Sequence, residues 1–172
     1  MEPIIHDNIR ALQQGINLIS DISPVLYTYT DSKRFPSSIG SHIRHNVDHY
    51  KSLLQGYPKG NIDYDYRSRD KKIEVESSEA IVIMEQIIES IRDWDSTILA
   101  QPVNVKMDCG STEVHPWSAS TIYRELQFLL SHTIHHYALI GIICKLQGYE
   151  APKEFGVAPS TLKYQSQNEC VQ

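Results

Sequence analysis

Six of the eight histidines in the chain lie in two short segments, and this clustering is its strongest chemical feature. An α-helix repeats every 3.6 residues, so imidazoles four residues apart on one helix project from the same face. Two such imidazoles can bind one metal ion together, and a third from another helix completes a three-nitrogen site. The first segment holds His42, His45 and His49, and the second holds His132, His135 and His136.

The second segment lies in an apolar stretch, where His132 and His136 share a helical face with Glu125 and with apolar side chains on either side. That pattern places both imidazoles inside the protein. An unpaired buried polar group costs about 1–3 kcal/mol, and one cation removes this cost for both rings. A single pair of this kind favours a hydrogen-bonded core, but the first histidine segment reverses that preference. The pattern therefore predicts a metal site between two helices.

Three histidine ligands leave coordination positions open, which is typical of catalytic rather than closed structural metal sites. Neutral imidazole nitrogens suit Zn²⁺, Ni²⁺ or Fe²⁺, and the sequence does not choose among them. We expect one divalent metal ion per chain. Glu125, two turns before His132, is a candidate catalytic residue that would accept a proton or orient a ligand imidazole. The alternative for Glu125 is a salt bridge with an arginine on another helix.

Four segments with the spacing of amphipathic helices must position these residues, at about 3–29, 37–55, 77–95 and 121–147. Pro24 is expected to kink or end the first helix, Ser37 or Ser38 to cap the second, and Ser118 or Ser120 to cap the fourth. Residues 57–72 are polar and rich in turn formers, and residues 101–117 resemble a hairpin with its turn near 108–111. The expected fold class is all-α. It is a single domain, residues 1–172, folded as a four-helix bundle with a long crossover between helices two and three, a small hairpin insert before helix four and a tail at 150–172.

Charge and composition narrow the classes of partner. The formal net charge is −5 and basic residues are scattered, which argues against nucleic acid, although the run from Arg67 to Lys72 could bind something small and anionic. Three cysteines, at 109, 144 and 170, do not form a disulfide pattern, and Cys144 has the surroundings of a core residue. No signal peptide and no membrane span are visible, so a cytoplasmic location is expected.

Two segments resemble the DinB superfamily, which includes the YfiT-like proteins. Residues 38–45 (SIGSHIRH) resemble the second-helix motif of that family, whose last histidine is a metal ligand, and residues 132–136 resemble its fourth-helix His-x-x-x-His. The resemblance implies a metal triad of His45, His132 and His136. A helical wheel alone prefers His42 or His49 to His45 as the inward ligand. With His45 as ligand, His49 would contact the ligands or the substrate.

The resemblance also implies a function. Some members use a low-molecular-weight thiol as cosubstrate, so we expect a divalent-metal-dependent transferase of that kind, or a hydrolase, acting on a small molecule. One alternative is a non-catalytic metal-binding stress or scaffold protein. Another is a helical dimerisation module, since an apolar outer face of the first helix, formed by Ile4, Leu18 and Ile22, makes a homodimer plausible.

Overall fold

The structure is a computed structural model that describes residues 1–108, 110 and 116–169. Four long helices form its body, and each packs against two of the other three: α1 and α3 both contact α5 and α7. Their apolar faces surround one continuous core, which contains fully buried residues from all four. The four are α1 (Pro3–Asp21), α3 (Ile39–Gly56), α5 (Ser77–Ile91) and α7 (Ile122–Leu146).

Four shorter α-helices and one 3-10 turn connect the long ones or follow them. Tyr27 of α2 donates a hydrogen bond to the carbonyl of Ile73 in α4, which ties two connecting segments together through the core. The elements are α2 (Pro24–Thr28), the 3-10 turn (Tyr57–Lys59), α4 (Lys71–Val75), α6 (Ser96–Leu99) and α8 (Pro159–Glu169).

Three short strands form one mixed sheet at the side of the helices, in the order β1-β2-β3. The strands are β1 (Asn61–Asp63), β2 (Pro102–Lys106) and β3 (Ser118–Thr121). β1 pairs parallel to β2, with Ile62 opposite Val105, and β2 pairs antiparallel to β3, with Val103 opposite Ser120. The sheet thereby fixes the segment after α3 to the segment before α7.

The expected all-α fold class is wrong, because the described residues contain this mixed sheet and eight α-helices rather than four helices with a hairpin insert. The crossing segment 57–72, expected to be a loop, contributes β1 and the start of α4. β1 has only three residues and one apolar side chain, so its pairing with β2 stabilises it more than local preference does. The expected hairpin turn at 108–111 falls partly outside the described residues.

Helix ends follow local capping chemistry. Ser38 accepts a hydrogen bond from the backbone N–H of Ser41, and Ser23 caps α2 in the same way just before Pro24. The cap of α7 differs from expectation: Thr121, the last residue of β3, accepts a hydrogen bond from the backbone N–H of Arg124, and Ser118 and Ser120 lie earlier in that strand. The Ser120 hydroxyl is used elsewhere, as a hydrogen-bond donor to Glu125.

The expected outer apolar face of α1 is not on the surface. Ile4, Leu18 and Ile22 are all buried within the chain, so they offer no dimer contact. In the expected tail, Phe155 stacks on the ring of Tyr137 with centroids 4.7 Å apart. Cys144 is buried, and the other two cysteines lie outside the described residues. None of the described helices is both long and apolar enough to cross a bilayer.

One prediction concerns the close approach of α1 to α7. A Cβ atom at Gly15 would overlap the hydroxyl of buried Tyr137 and press on Met84. Gly15→Ala should therefore lower the free energy of unfolding by about 1–3 kcal/mol, the usual range for overpacking a core. Urea denaturation of the purified variant measures this.

Gly141 provides the matched control, because it lies within α7 and a Cβ there meets nothing within 4 Å. Gly141→Ala should raise the free energy of unfolding by up to about 1 kcal/mol through helix propensity. Equal effects of the two substitutions would contradict the packing assigned to Gly15.

Candidate metal centre

Two facing helices bring the histidine segments together. His42, His45 and His49 lie on α3, the second segment lies on α7, and the two helices pack against each other. The apolar stripes that hold this contact lie next to the histidines, so His45, His132 and His136 meet at the edge of the core and are half-buried, whereas His135 is exposed. Burial of apolar area therefore positions a set of polar rings.

His45, His132 and His136 form a compact triad. Each offers one ring nitrogen, and the three nitrogens lie within 4.8 Å of one another. The ring centroid of His45 lies 5.0 Å from that of His132 and 4.6 Å from that of His136. Tetrahedral bonds of about 2.1 Å to one ion need nitrogens about 3.4 Å apart. The side chains would therefore have to move closer together to hold one ion.

An unsatisfied atom supports the fit of a cation. Nε2 of His132 is fully buried and has no hydrogen-bond partner among the residues that the structure describes. A buried nitrogen without a partner costs free energy that one coordinate bond would recover. The donor set of three imidazoles is the one expected of Zn²⁺, Ni²⁺ or Fe²⁺.

Burial keeps these imidazoles neutral at neutral pH. It lowers the pKa of His45 to about 2, with the neighbouring imidazoles and Arg67 adding to the effect. Burial and nearby histidines likewise lower the pKa of His132 to about 4 and that of His136 to about 3. A neutral imidazole has a free lone pair, which is the form that binds a metal.

The other histidines surround the triad. His49 is buried and its Nδ1 donates to the carbonyl oxygen of His45 at 2.8 Å, which leaves its Nε2 as the acceptor nitrogen. Its ring lies 4.4 Å from that of His132. Nδ1 of His42 lies 2.8 Å from Nδ1 of His136, so one of these nitrogens donates a hydrogen bond to the other. His42 and His49, which the helical wheel prefers, thus contact the triad: His42 contacts His136, and His49 contacts His45 and His132.

Arg67 makes a direct contact with the triad. Its Nη1 donates to Nδ1 of His45 at 3.0 Å. A guanidinium has no lone pair to offer, so this nitrogen of His45 is the unprotonated one. The other nitrogen of the neutral His45 ring carries its proton, so a metal ion at His45 would have to displace Arg67 from this lone pair or bind after the proton moves.

Glu125 lies behind the site rather than in it. It is 4% exposed and accepts hydrogen bonds from the hydroxyls of Tyr64 and Ser120. Among its described neighbours, no arginine pairs with it, so the expected alternative of a salt bridge is absent there. Tyr64 extends this contact toward the triad, because its ring stacks on His49 with centroids 5.6 Å apart. Burial, then Glu125, raises the pKa of Tyr64 well above its usual range.

A cavity of about 720 Å³ opens beside the triad. Its helical wall includes His45, His49 and His132, and its other wall comes from the crossing segment and the end of β2. Tyr64, Arg67, Arg69 and Lys106 lie in that second wall. Volumes of about 300–1,000 Å³ are typical of small-molecule sites.

The chain is similar to one curated protein, FK506-binding protein 5 of Rhizopus delemar. The two are 32% identical over 157 residues, which are 91% of this chain but 36% of the relative. The chain thus spans about a third of the length of the curated protein that it matches. No family model matches the chain, and no solved structure matches it.

This similarity corrects the expected family. The relative is named as an FK506-binding protein and not as a member of the DinB superfamily, so the DinB/YfiT-like assignment is wrong. The resemblance depended on two segments of eight and five residues, and histidines four apart also arise wherever a helix buries two imidazoles.

The expected function is corrected by the same finding. A metal-dependent thiol transferase or hydrolase is not what the matched protein's name describes, and neither is a stress or scaffold protein or a dimerisation module. The structural convergence of His45, His132 and His136 does not depend on the family and stands on the geometry alone.

Sequence reasoning missed the second wall of the cavity. Tyr64, Arg67 and Arg69 lie in the segment expected to be a crossing loop, and Lys106 lies in the expected hairpin. The dense basic run from Arg67 to Lys72 was the available signal. It pointed to an anion, but nothing local placed it beside the histidines.

The buried imidazoles predict an acid-sensitive fold. The unfolded chain takes up protons on histidine near pH 6.5, whereas the folded metal-free protein does not, because the pKa values of His45, His132 and His136 are lowered. Between the lowered pKa values of the folded protein and pH 6.5, the unfolded state binds more protons than the folded state. The free energy of unfolding therefore falls as the pH decreases below about 6.5.

Urea denaturation of chelator-treated protein at pH 7.5 and pH 5 tests this expectation. The substitutions His45→Gln and His132→Gln together should remove much of the pH dependence, while His6→Gln, at a surface histidine that is 63% exposed, should leave it unchanged. An equal free energy of unfolding at both pH values would contradict the assignment.

Proposed function

We propose that this chain binds one divalent transition-metal ion through His45, His132 and His136, beside a cavity that admits a small-molecule ligand. The observation that carries the proposal is the approach of three ring nitrogens to within 4.8 Å of one another. The unpartnered Nε2 of His132 and the neutral state of the rings support it. Zn²⁺, Ni²⁺ and Fe²⁺ are the candidate ions.

The chain's own residues prepare this site. His49 holds the backbone at His45 through its hydrogen bond to the carbonyl oxygen, whereas Arg67 donates to the His45 ring nitrogen and must release it when a metal ion binds there. Tyr64 covers His49 from the cavity side and is itself held by Glu125. An ion bound by three imidazoles would retain open positions and act as a Lewis acid toward a ligand in the cavity.

Other expectations from the sequence stay predictions. They are a single domain over residues 1–172, a small-molecule ligand, a low-molecular-weight thiol as cosubstrate, a homodimer, the absence of nucleic-acid and membrane partners, and a cytoplasmic location. None of them is needed for the metal proposal.

Metal titration tests the proposal. Chelator-treated protein should bind one Co²⁺ ion per chain, a spectroscopic substitute for Zn²⁺, with the visible absorption bands of a nitrogen-ligated site. Alanine at His45, His132 or His136 should weaken binding by more than about 100-fold, because even the loss of an outer partner of a ligand costs about 10- to 100-fold.

His6→Ala is the matched control, since His6 is exposed and lies outside the cluster. It should bind Co²⁺ like the unchanged protein. Chelator-treated protein that binds no Co²⁺, Zn²⁺ or Ni²⁺ while remaining folded by circular dichroism would contradict the proposal.

A second candidate function comes from the similarity to FK506-binding protein 5. By that likeness we propose FK506 as a ligand of this chain, and the cavity beside the triad is large enough for part of such a molecule.

Calorimetric titration with FK506 decides this second candidate. Saturable binding that Tyr64→Ala weakens, while Tyr123→Ala at the exposed surface of α7 does not, would support FK506 binding in the cavity. The absence of any heat of binding by folded protein, with or without Zn²⁺, would remove FK506 as a ligand and leave the metal proposal intact.

A further inference from the structure

We propose that the cavity beside the triad binds a small molecule by an anionic head group, a carboxylate or a phosphate, with Arg67 and Arg69 as its anchors. The proposal rests on the proposed function, because it names the ligand class of the same cavity. The anion and the metal ion would also strengthen each other's binding, because Arg67 contacts both of their sites.

The charges of the cavity wall are the first argument. Three basic side chains line it (Arg67, Arg69 and Lys106), together with two acidic ones (Asp65 and Asp108). Both acidic side chains hold backbone of the same wall. Asp65 accepts from the N–H of Asp108 at 2.8 Å, and Asp108 accepts from the N–H of Gly110 at 2.7 Å.

The basic side chains retain capacity for further hydrogen bonds or ion pairs. Lys106 lies 3.6 Å from a carboxylate oxygen of Asp63, a loose ion pair. Arg69 is exposed, and within residues 1–108, 110 and 116–169 it forms no ion pair. The wall thus holds cationic groups with capacity for a further partner, next to acidic groups that stabilise its backbone.

Arg67 is the most specific feature. Its Nη1 donates to His45, but its Nε is fully buried and lacks a hydrogen-bond partner in the part of the chain that the structure describes. A buried donor on a charged group is costly when it is unpaired. Carboxylate and phosphate oxygens match the planar fork of a guanidinium, so an anion in the cavity would pair with Arg67 and satisfy this donor once the side chain turns its Nε toward the cavity.

The position of Arg67 couples the two ligands. Its positive charge lies in direct contact with His45, so it disfavours a divalent cation on the triad. An anion paired with Arg67 offsets this repulsion and therefore strengthens metal binding. By thermodynamic linkage, the metal must strengthen binding of the anion by the same factor.

The size and overall charge of the molecule favour a small anion over a polymeric one. The cavity volume of about 720 Å³ suits a small molecule, and a net charge of −5 disfavours a polyanion. The proposal therefore concerns a small metabolite-sized acid or phosphate ester.

Two titrations with defined probes test the proposal. Sodium acetate and sodium phosphate are added separately to metal-free protein, and the ¹⁵N–¹H signals of the arginine side chains are recorded. A saturable shift of the Arg67 and Arg69 Nε–H signals is expected, and the tighter of the two probes identifies the head group. Arg69→Asn should weaken binding about tenfold, because a charge-assisted hydrogen bond contributes a factor of that size.

The variants are chosen to spare the fold. Arg69 has a positive φ of 50°, which asparagine adopts more readily than most residues, so Arg69→Asn removes the charge without new backbone strain. Arg10→Gln, at an exposed position of α1, is the control and should bind both probes like the unchanged protein. Absence of a saturable shift with either probe, or shifts that Arg69→Asn leaves unaltered, would overturn the proposal.

Co²⁺ titrations with and without the tighter probe test the coupling. The anion should increase Co²⁺ affinity several-fold. Arg67→Gln should bind Co²⁺ at least as tightly as the unchanged protein does without anion and should lose the enhancement, whereas a purely structural role of Arg67 would weaken metal binding. Co²⁺ binding that no anion enhances refutes the coupling and leaves the metal proposal standing. Anion binding without Co²⁺ binding refutes the metal proposal and retains the anion site.

Discussion

The contact between α3 and α7 is the constraint on which the remaining arrangement depends. Apolar residues on both helices bury their surface against each other, and the histidines adjacent to those residues must follow. Imidazoles forced into partial burial lose water, and their neutral form is favoured. The crowding of His45, His132 and His136 is therefore a product of ordinary hydrophobic packing, and the lowered pKa values follow from it.

The parts of the molecule predictable from sequence are those set by local pattern. The four long helices follow from apolar residues at helical spacing, and their starts follow from caps such as Ser38. Convergence of the two histidine segments was also predictable, because residues from two inward faces of a packed helical body meet. The choice of His45 over His42 and His49 did not follow from an ideal wheel, since the site lies at the edge of the core and not at its centre.

The strand β1 and the second cavity wall could not be predicted, for a physical reason. β1 consists of three residues whose strand form is fixed by pairing with β2, some forty residues later in the chain, and no local pattern reports such a partner. Tyr64 and Arg67 lie within four residues after this strand, so their approach to the histidines could not be predicted either. Family resemblance failed for a related reason. Short histidine motifs reflect helix geometry, which unrelated chains share.

At position 69 the residue type that the backbone conformation favours differs from the residue type that gives the cavity wall a positive charge. Residues with a Cβ atom rarely adopt this backbone conformation, so arginine is not the residue that best serves the fold there. Glycine or asparagine would suit the turn better, and neither would bring a positive charge to the cavity. Exchange of Arg69 for asparagine would thus remove a positive charge from the cavity wall and ease the backbone at the same time. A change of charge at this position would need no compensating gain of stability elsewhere in the scaffold.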